Sequence, residues 1–170
     1  MSVTDPFTAV EAKLWELVAD HTDLMALVKP GNRLDAQDVA RRAQKEGRLS
    51  ADLPELQLVP TGGGVTGWTS TSVLVSQIFD FQVLTGNERA YKELFPVRWQ
   101  LLRAWAMLRK DQTWARLGLP YVNKVSLASF SDIQNGTQAD TNKTTWASAL
   151  QFTIDMTFDQ QALETQSAPA

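Results

Sequence analysis

The 170-residue sequence predicts an α+β fold, a mainly antiparallel sheet of about four strands with a long helix and an N-terminal helical pair packed on it. Three patterns predict this. Residues 145–160 (TWASALQFTIDMTFDQ) alternate Trp146, Ser148, Leu150, Phe152, Ile154, Met156 and Phe158 with Ala147, Ala149, Gln151, Thr153, Asp155 and Thr157. Side chains of a strand alternate faces, so this is one long strand with an oily face and a wetter one. Residues 70–84 alternate in the same way through Val73, Val75, Gln77, Phe79, Phe81 and Val83. Residues 5–28 and 88–110 instead repeat apolar side chains at the three- and four-residue spacing of helices.

Each element has its own local cause. Asp5 before Pro6 gives a helix start, an acceptor at the N-cap followed by a residue whose missing N–H is harmless at the first position. Phe7, Val10, Leu14, Leu17 and Val18 then form one apolar stripe. The pattern breaks at His21-Thr22-Asp23, where Thr22 is placed to cap a short second helix holding Leu24, Met25, Leu27 and Val28, and KPGN at 29–32 ends it. Residues 35–48 are polar and contain Arg41, Arg42, Lys45 and Arg48, which suits a short exposed helix or an ordered loop. Residues 53–59 (LPELQLV) form a strand that Pro60 ends or places at an edge.

The glycine-rich stretch 61–67 (TGGGVTG) is expected as a mobile hairpin loop leading into the strand at 70–84. Gly86-Asn87 punctuates, and the helix over 88–110 is kinked or restarted at Pro96. Residues 112–121 connect it to a strand at 122–133, and the polar loop 135–143 (NGTQADTNK) leads to the final strand. Residues 1–160 are expected to form a single domain. The last ten (QALETQSAPA) have little to bury and are expected as a flexible tail.

Composition narrows the chemistry. An apolar content of 44% with 21% charged residues is that of a folded globular chain rather than a disordered one. Zero Cys removes disulfides, thiolate nucleophiles and Cys-based zinc sites, and a single His removes triads and multi-histidine metal sites. The opening MSVTDPFTAV lacks a basic region followed by an apolar core, and no run reaches the length of a membrane span. These features predict a protein folded in a cytoplasm with no membrane partner. The net charge of −3 argues against a dedicated nucleic-acid binder, while leaving a surface past which DNA can slide.

No motif supplies an active site. The TGGGVTG run lacks the Gly-Lys-Ser/Thr ending of a phosphate loop and runs into a strand instead of a helix. His21, at the break between two helices, suits capping or packing. Asp80, Asp132 and Asp155 lie on three strands without a diagnostic spacing, and Ser70, Ser72 and Ser76 lack a nucleophile elbow. The acceptor patterns at Asn135 and Asn142 have no secretory signal before them. No enzyme activity, metal or cofactor is therefore expected.

Surface-forming residues are more telling. The long helix carries one stripe of Leu94, Val97, Leu101, Ala104, Trp105 and Leu108 and another of Phe95, Trp99, Leu102 and Ala106, with Arg98 and Arg109 between them. One stripe covers the sheet; the other meets the N-terminal helix or another chain. Six Trp exceed the usual need of a core this size, and Trp68 and Trp114 fall in connectors, where aromatics favour partner contact. The candidate interface residues are Arg41, Arg42, Trp68, Arg98, Trp99, Arg109 and Trp114.

Taken in order, the acidic Cys-free chain, the helical pair in AVEAKLWELVADHTDLMALVKPGNRLD, LPELQLVP, and SVLVSQIFDFQVLTGNERAYKELF closing on an alternating strand resemble the tail terminator (tail completion) proteins of long-tailed bacteriophages. The resemblance implies a virion protein of the tail and neck, assembled in the host cytoplasm as a homo-oligomeric ring, commonly a hexamer. Such a ring caps the tail tube, ends its polymerisation and joins it to a head-side connector or stopper protein. It also implies that DNA passes only as cargo through the channel, with the wet strand faces along it. Residues 35–48 and 61–69 do not map onto that pattern, which keeps another neck, head-tail adaptor or minor tail or baseplate protein as the alternative. A small cytoplasmic enzyme or ligand-binding domain is the second alternative.

Overall fold

The computed structural model describes residues 5–43, 53–86, 90–108, 117–137 and 144–161. Helix α1 (Pro6–Ala19) starts where Asp5 accepts hydrogen bonds from the backbone N–H groups of Phe7 and Thr8. The Thr8 hydroxyl donates to the same carboxylate and, with those N–H groups, holds its pKa below the usual range. Helix α2 (Thr22–Leu27) is capped by His21 rather than Thr22: the imidazole Nδ1 accepts the Leu24 N–H at 3.3 Å. A 3₁₀ turn (Pro30–Asn32) leads to strand β1 (Arg33–Leu34) and helix α3 (Ala36–Ala43). Strands β2 (Glu55–Trp68) and β3 (Ser72–Gly86), helix α4 (Ala90–Leu108), and strands β4 (Val122–Thr137) and β5 (Thr144–Asp159) follow.

The expectation of about four mainly antiparallel strands built around a long helix is corrected. More of the described chain is strand than helix, and among the described residues the sheet has five strands in the order β1-β2-β3-β5-β4. It is mixed, because β1 runs parallel to β2 through Arg33 opposite Leu56 and Leu34 opposite Gln57. Two residues are too few to leave a periodic signal, and the Arg33 guanidinium is held by carbonyls of Met25 and Val28 instead of standing on a face.

The second correction is residues 61–67. They are strand, not loop: β2 runs through the glycines to Trp68 and pairs with β3 from Glu55 opposite Leu84 to Trp68 opposite Val73, with bulges at Pro60/Gly62 and Val65/Gly67. Pro60 sits inside this strand because its other side is an edge, where the absent N–H leaves no ladder bond unmade. Strand β4 likewise runs on through Asn135-Gly136-Thr137. Helix α4 continues through Pro96 and forgoes one helical hydrogen bond there.

The β3–β5 ladder holds the sheet together, running from Ser72 opposite Asp159 to Gly86 opposite Thr145 without a bulge. Its oily face forms the core. Phe79, Phe81, Leu150, Phe152 and Ile154 are buried there beneath Val10, Leu14 and Val18 of α1, Leu24 of α2, and Leu94, Val97 and Leu101 of α4. Each large side chain so buried contributes roughly 1.5–3 kcal/mol. Trp15 meets Phe81 edge-on at 5.9 Å, and Phe81 meets Phe152 edge-on at 5.7 Å, the arrangement that ring quadrupoles favour.

The other face is wetter. At the end marked by Glu55 it is closed: Glu55, Gln57, Leu84 and Ala147 are buried, and the Gln57 amide donates to the Glu55 carboxylate. From Ala149 to Thr157 the same face of β5 is half-exposed.

Candidate assembly interface

Helix α4 has two apolar stripes because its sequence supplies two. The first, through Leu94, Val97 and Leu101, goes into the core. Of the second, Leu102 packs at the margin of the core, whereas Phe95 (49% exposed) and Trp99 (61%), one turn apart, face outward. The neighbouring helix therefore does not cover them.

Arg98 stands between the two stripes and ties them to the sheet. Its Nε and Nη2 donate to the Ser148 hydroxyl at 3.0 and 2.7 Å, which satisfies a fully buried side chain on the oily face of β5. The guanidinium carbon lies 5.2 Å from the ring centre of Phe95 and 5.2 Å from that of Phe130 on β4. Cation–π contacts of this kind contribute about 0.5–1 kcal/mol each where water has access. Phe130 is 57% exposed. Phe95 and Phe130 thus flank one cation beside strand β4, and Trp99, one turn along α4 from Phe95, extends the outward aromatic surface.

The half-exposed face of the sheet is chemically different. Asp80, Gln151, Thr153, Asp155 and Thr157 alternate with core positions on β3 and β5. The Gln151 amide donates to Asp80 at 3.3 Å, and the Asn123 amide donates to the Thr157 hydroxyl. Lys124 and Ser126 of β4 stand opposite Asp155 and Thr153. The surface is hydroxyl- and amide-rich with a slight excess of carboxylate, and the half-buried Leu74 and Ile78 of β3 share it.

The expected interface residues are only partly assembled by the fold. Arg98 and Trp99 are brought together on the aromatic surface. Trp68 is 65% exposed but lies at the other end of the sheet. It is level with Phe158, ten residues from Ser148 on β5, which at ~3.3 Å per residue is about 33 Å. Arg41 is exposed on α3 and pairs with Asp38 at 3.4 Å, a solvated i,i+3 contact worth little. Arg42 belongs to α3, but its side chain lies outside the described residues, as do Arg109 and Trp114 entirely. The tail from 162 also lies outside them. Asp80 and Asp155 do not converge: their partners Gln151 and Asp155 itself are four residues apart on β5. Among the described residues no three acidic or His side chains gather as a metal site, and no helix is long and apolar enough to cross a membrane.

Sequence reasoning missed Phe130 and Ser148. Ser148 sits at a regular alternating position, Phe130 follows the bulge at Leu127/Ser129 that brings it onto the same face, and the footprint of α4 decides that one is buried and the other exposed. Neither a family profile nor a curated protein matches the chain.

Proposed function

We propose that this chain is a structural component of a long-tailed phage particle, a tail terminator that forms a ring at the head-proximal end of the tail. In this reading the ring caps the tube, stops its polymerisation and joins it to the head-side connector. The observation that carries the reading is the division of one sheet into two unlike faces. The oily face is sealed by helices, while the opposite face stays wet along β3, β5 and β4 and bears a slight carboxylate excess. A face of that kind suits a channel wall past which DNA moves without being gripped, because phosphate is weakly repelled and offered no cluster of cations. The aromatic surface at Phe95, Trp99 and Phe130 supplies a contact for a neighbouring protein on the outer side, where exposed aromatics concentrate binding energy.

Trp99→Glu and Phe130→Glu test it. Both positions are more than half exposed, so the thermal midpoint of the free protein should stay within a few degrees. In particles assembled with either variant, electron microscopy should find overlong tails or tails without heads. Tails of normal length in particles made without this chain would contradict the proposal.

A further inference from the structure

Among the described residues the sheet has two open edges, and they match. Beta-1 covers β2 only at Leu56 and Gln57, so residues 59–68 form one edge; β4 forms the other along its length. An exposed edge presents unpaired backbone N–H and C=O groups that template pairing with another chain. Between β2 and β4 lie two strands, each antiparallel to its neighbours, so the two edges run in opposite directions.

Their levels agree as well. Gly62 is opposite Ile78, Ile78 opposite Thr153, and Thr153 opposite Ser126; one rung pair further, Gly64, Ser76, Asp155 and Lys124 lie in line. Bulges interrupt β2 at Pro60/Gly62 and Val65/Gly67, and β4 at Val122/Lys124 and Leu127/Ser129. The regular run between bulges is 62–65 on one edge and 124–127 on the other, and the two share the height of 62–64 and 124–126 in the sheet. The β2 run is nearly bare of side chains. A Cβ at Gly64 would meet nothing within 4 Å, and one at Gly62 would meet only the tip of Ile78 at 3.8 Å, so an incoming strand has space on the face that Gly62 and Gly64 share.

We propose that residues 62–64 of one copy pair antiparallel with residues 124–126 of a second copy, Gly62 opposite Ser126 and Gly64 opposite Lys124, extending the sheet across the subunit boundary. The contact is head-to-tail: each copy uses its β2 edge on one side and its β4 edge on the other, so that further copies add in the same way. Closure into a ring rests on the function proposed above; the pairing itself does not.

The absence of Cys makes the test clean. Opposed residues of an antiparallel pair have Cα atoms about 4.5–5.5 Å apart, within disulfide reach. The full chain carrying both Gly64→Cys and Lys124→Cys, oxidised in concentrated solution, should give a ladder of covalent oligomers. Each single variant alone should stay monomeric, and a mixture of the two should stop at dimers. Gly62→Cys with Ser126→Cys, one rung pair along, should behave identically and guards against misfolding of the first pair. Dimers from Lys124→Cys alone would mean that β4 pairs with itself about a twofold axis, and would overturn the proposal. So would failure of both double variants to cross-link. Whether the ladder ends in a closed species, read by native mass spectrometry, judges the ring separately.

Discussion

Glu11 and Asp5 show how single carboxylates act in opposite directions within one helix. At Glu11 burial comes first and the Asp35 charge second, and together they raise its pKa, although the Ala36 N–H bonds to it. The raised pKa means that the ionised form is less favourable folded than unfolded. The penalty is present at neutral pH and vanishes as pH falls below the unfolded value of about 4.3. Glu11→Gln should therefore raise the thermal midpoint at pH 7 by up to about 2–4 °C, since a half-exposed group is worth less than about 1 kcal/mol. The gain should shrink to nothing near pH 3, which scanning calorimetry at the two pH values will show. Asp5 has the reverse sign: its lowered pKa adds stability above the unfolded value and loses it as pH falls through the folded one. The Asp5 cap was legible in the sequence, because Asp before Pro leaves few alternatives. The His21 cap was not, because Thr22 is the stronger capping residue by type and only the backbone entry angle makes His21 the acceptor.

At the scale of elements, the strands with a two-residue apolar period were readable because each has one face in the core. Residues 61–67 had no such period. Their strand conformation is imposed from outside, by the far half of β3, which β5 holds in register up to Ser72 opposite Asp159. This is tertiary pairing overriding local preference. Gly63 is where that pairing is tightest: at φ +155° an added Cβ would come within 2.6 Å of the Ser76 carbonyl oxygen. Gly63→Ala should destabilise the domain by about 1–3 kcal/mol, whereas Gly64→Ala, with nothing near it, should be neutral or stabilising by up to about 1 kcal/mol. Urea denaturation of the two variants side by side checks this, and equal effects would mean that the hairpin tolerates Gly63 moving. Helix α4 was legible in its two stripes but not in their fates. The sequence left the second stripe open between a helix and another chain; Leu102 packs at the margin of the core, whereas Phe95 and Trp99 stay exposed.

Over the whole molecule, a sheet sealed on one face, a wet opposite face and two edges open among the described residues support the proposal that copies of this chain stand side by side with their wet faces toward a channel. Each feature has a local cause in alternation, helix cover or strand order, and none needs a catalytic centre. The most direct measurement is a cryo-electron microscopy reconstruction of the intact particle at a resolution that traces strands. It should show a closed ring of about six copies at the head-proximal end of the tube, the cyclic arrangement of a head-to-tail contact, with Asp80, Thr153 and Asp155 lining the channel and α4 outside. A particle in which this chain is missing, or in which that wet face is packed against solid protein, would contradict it.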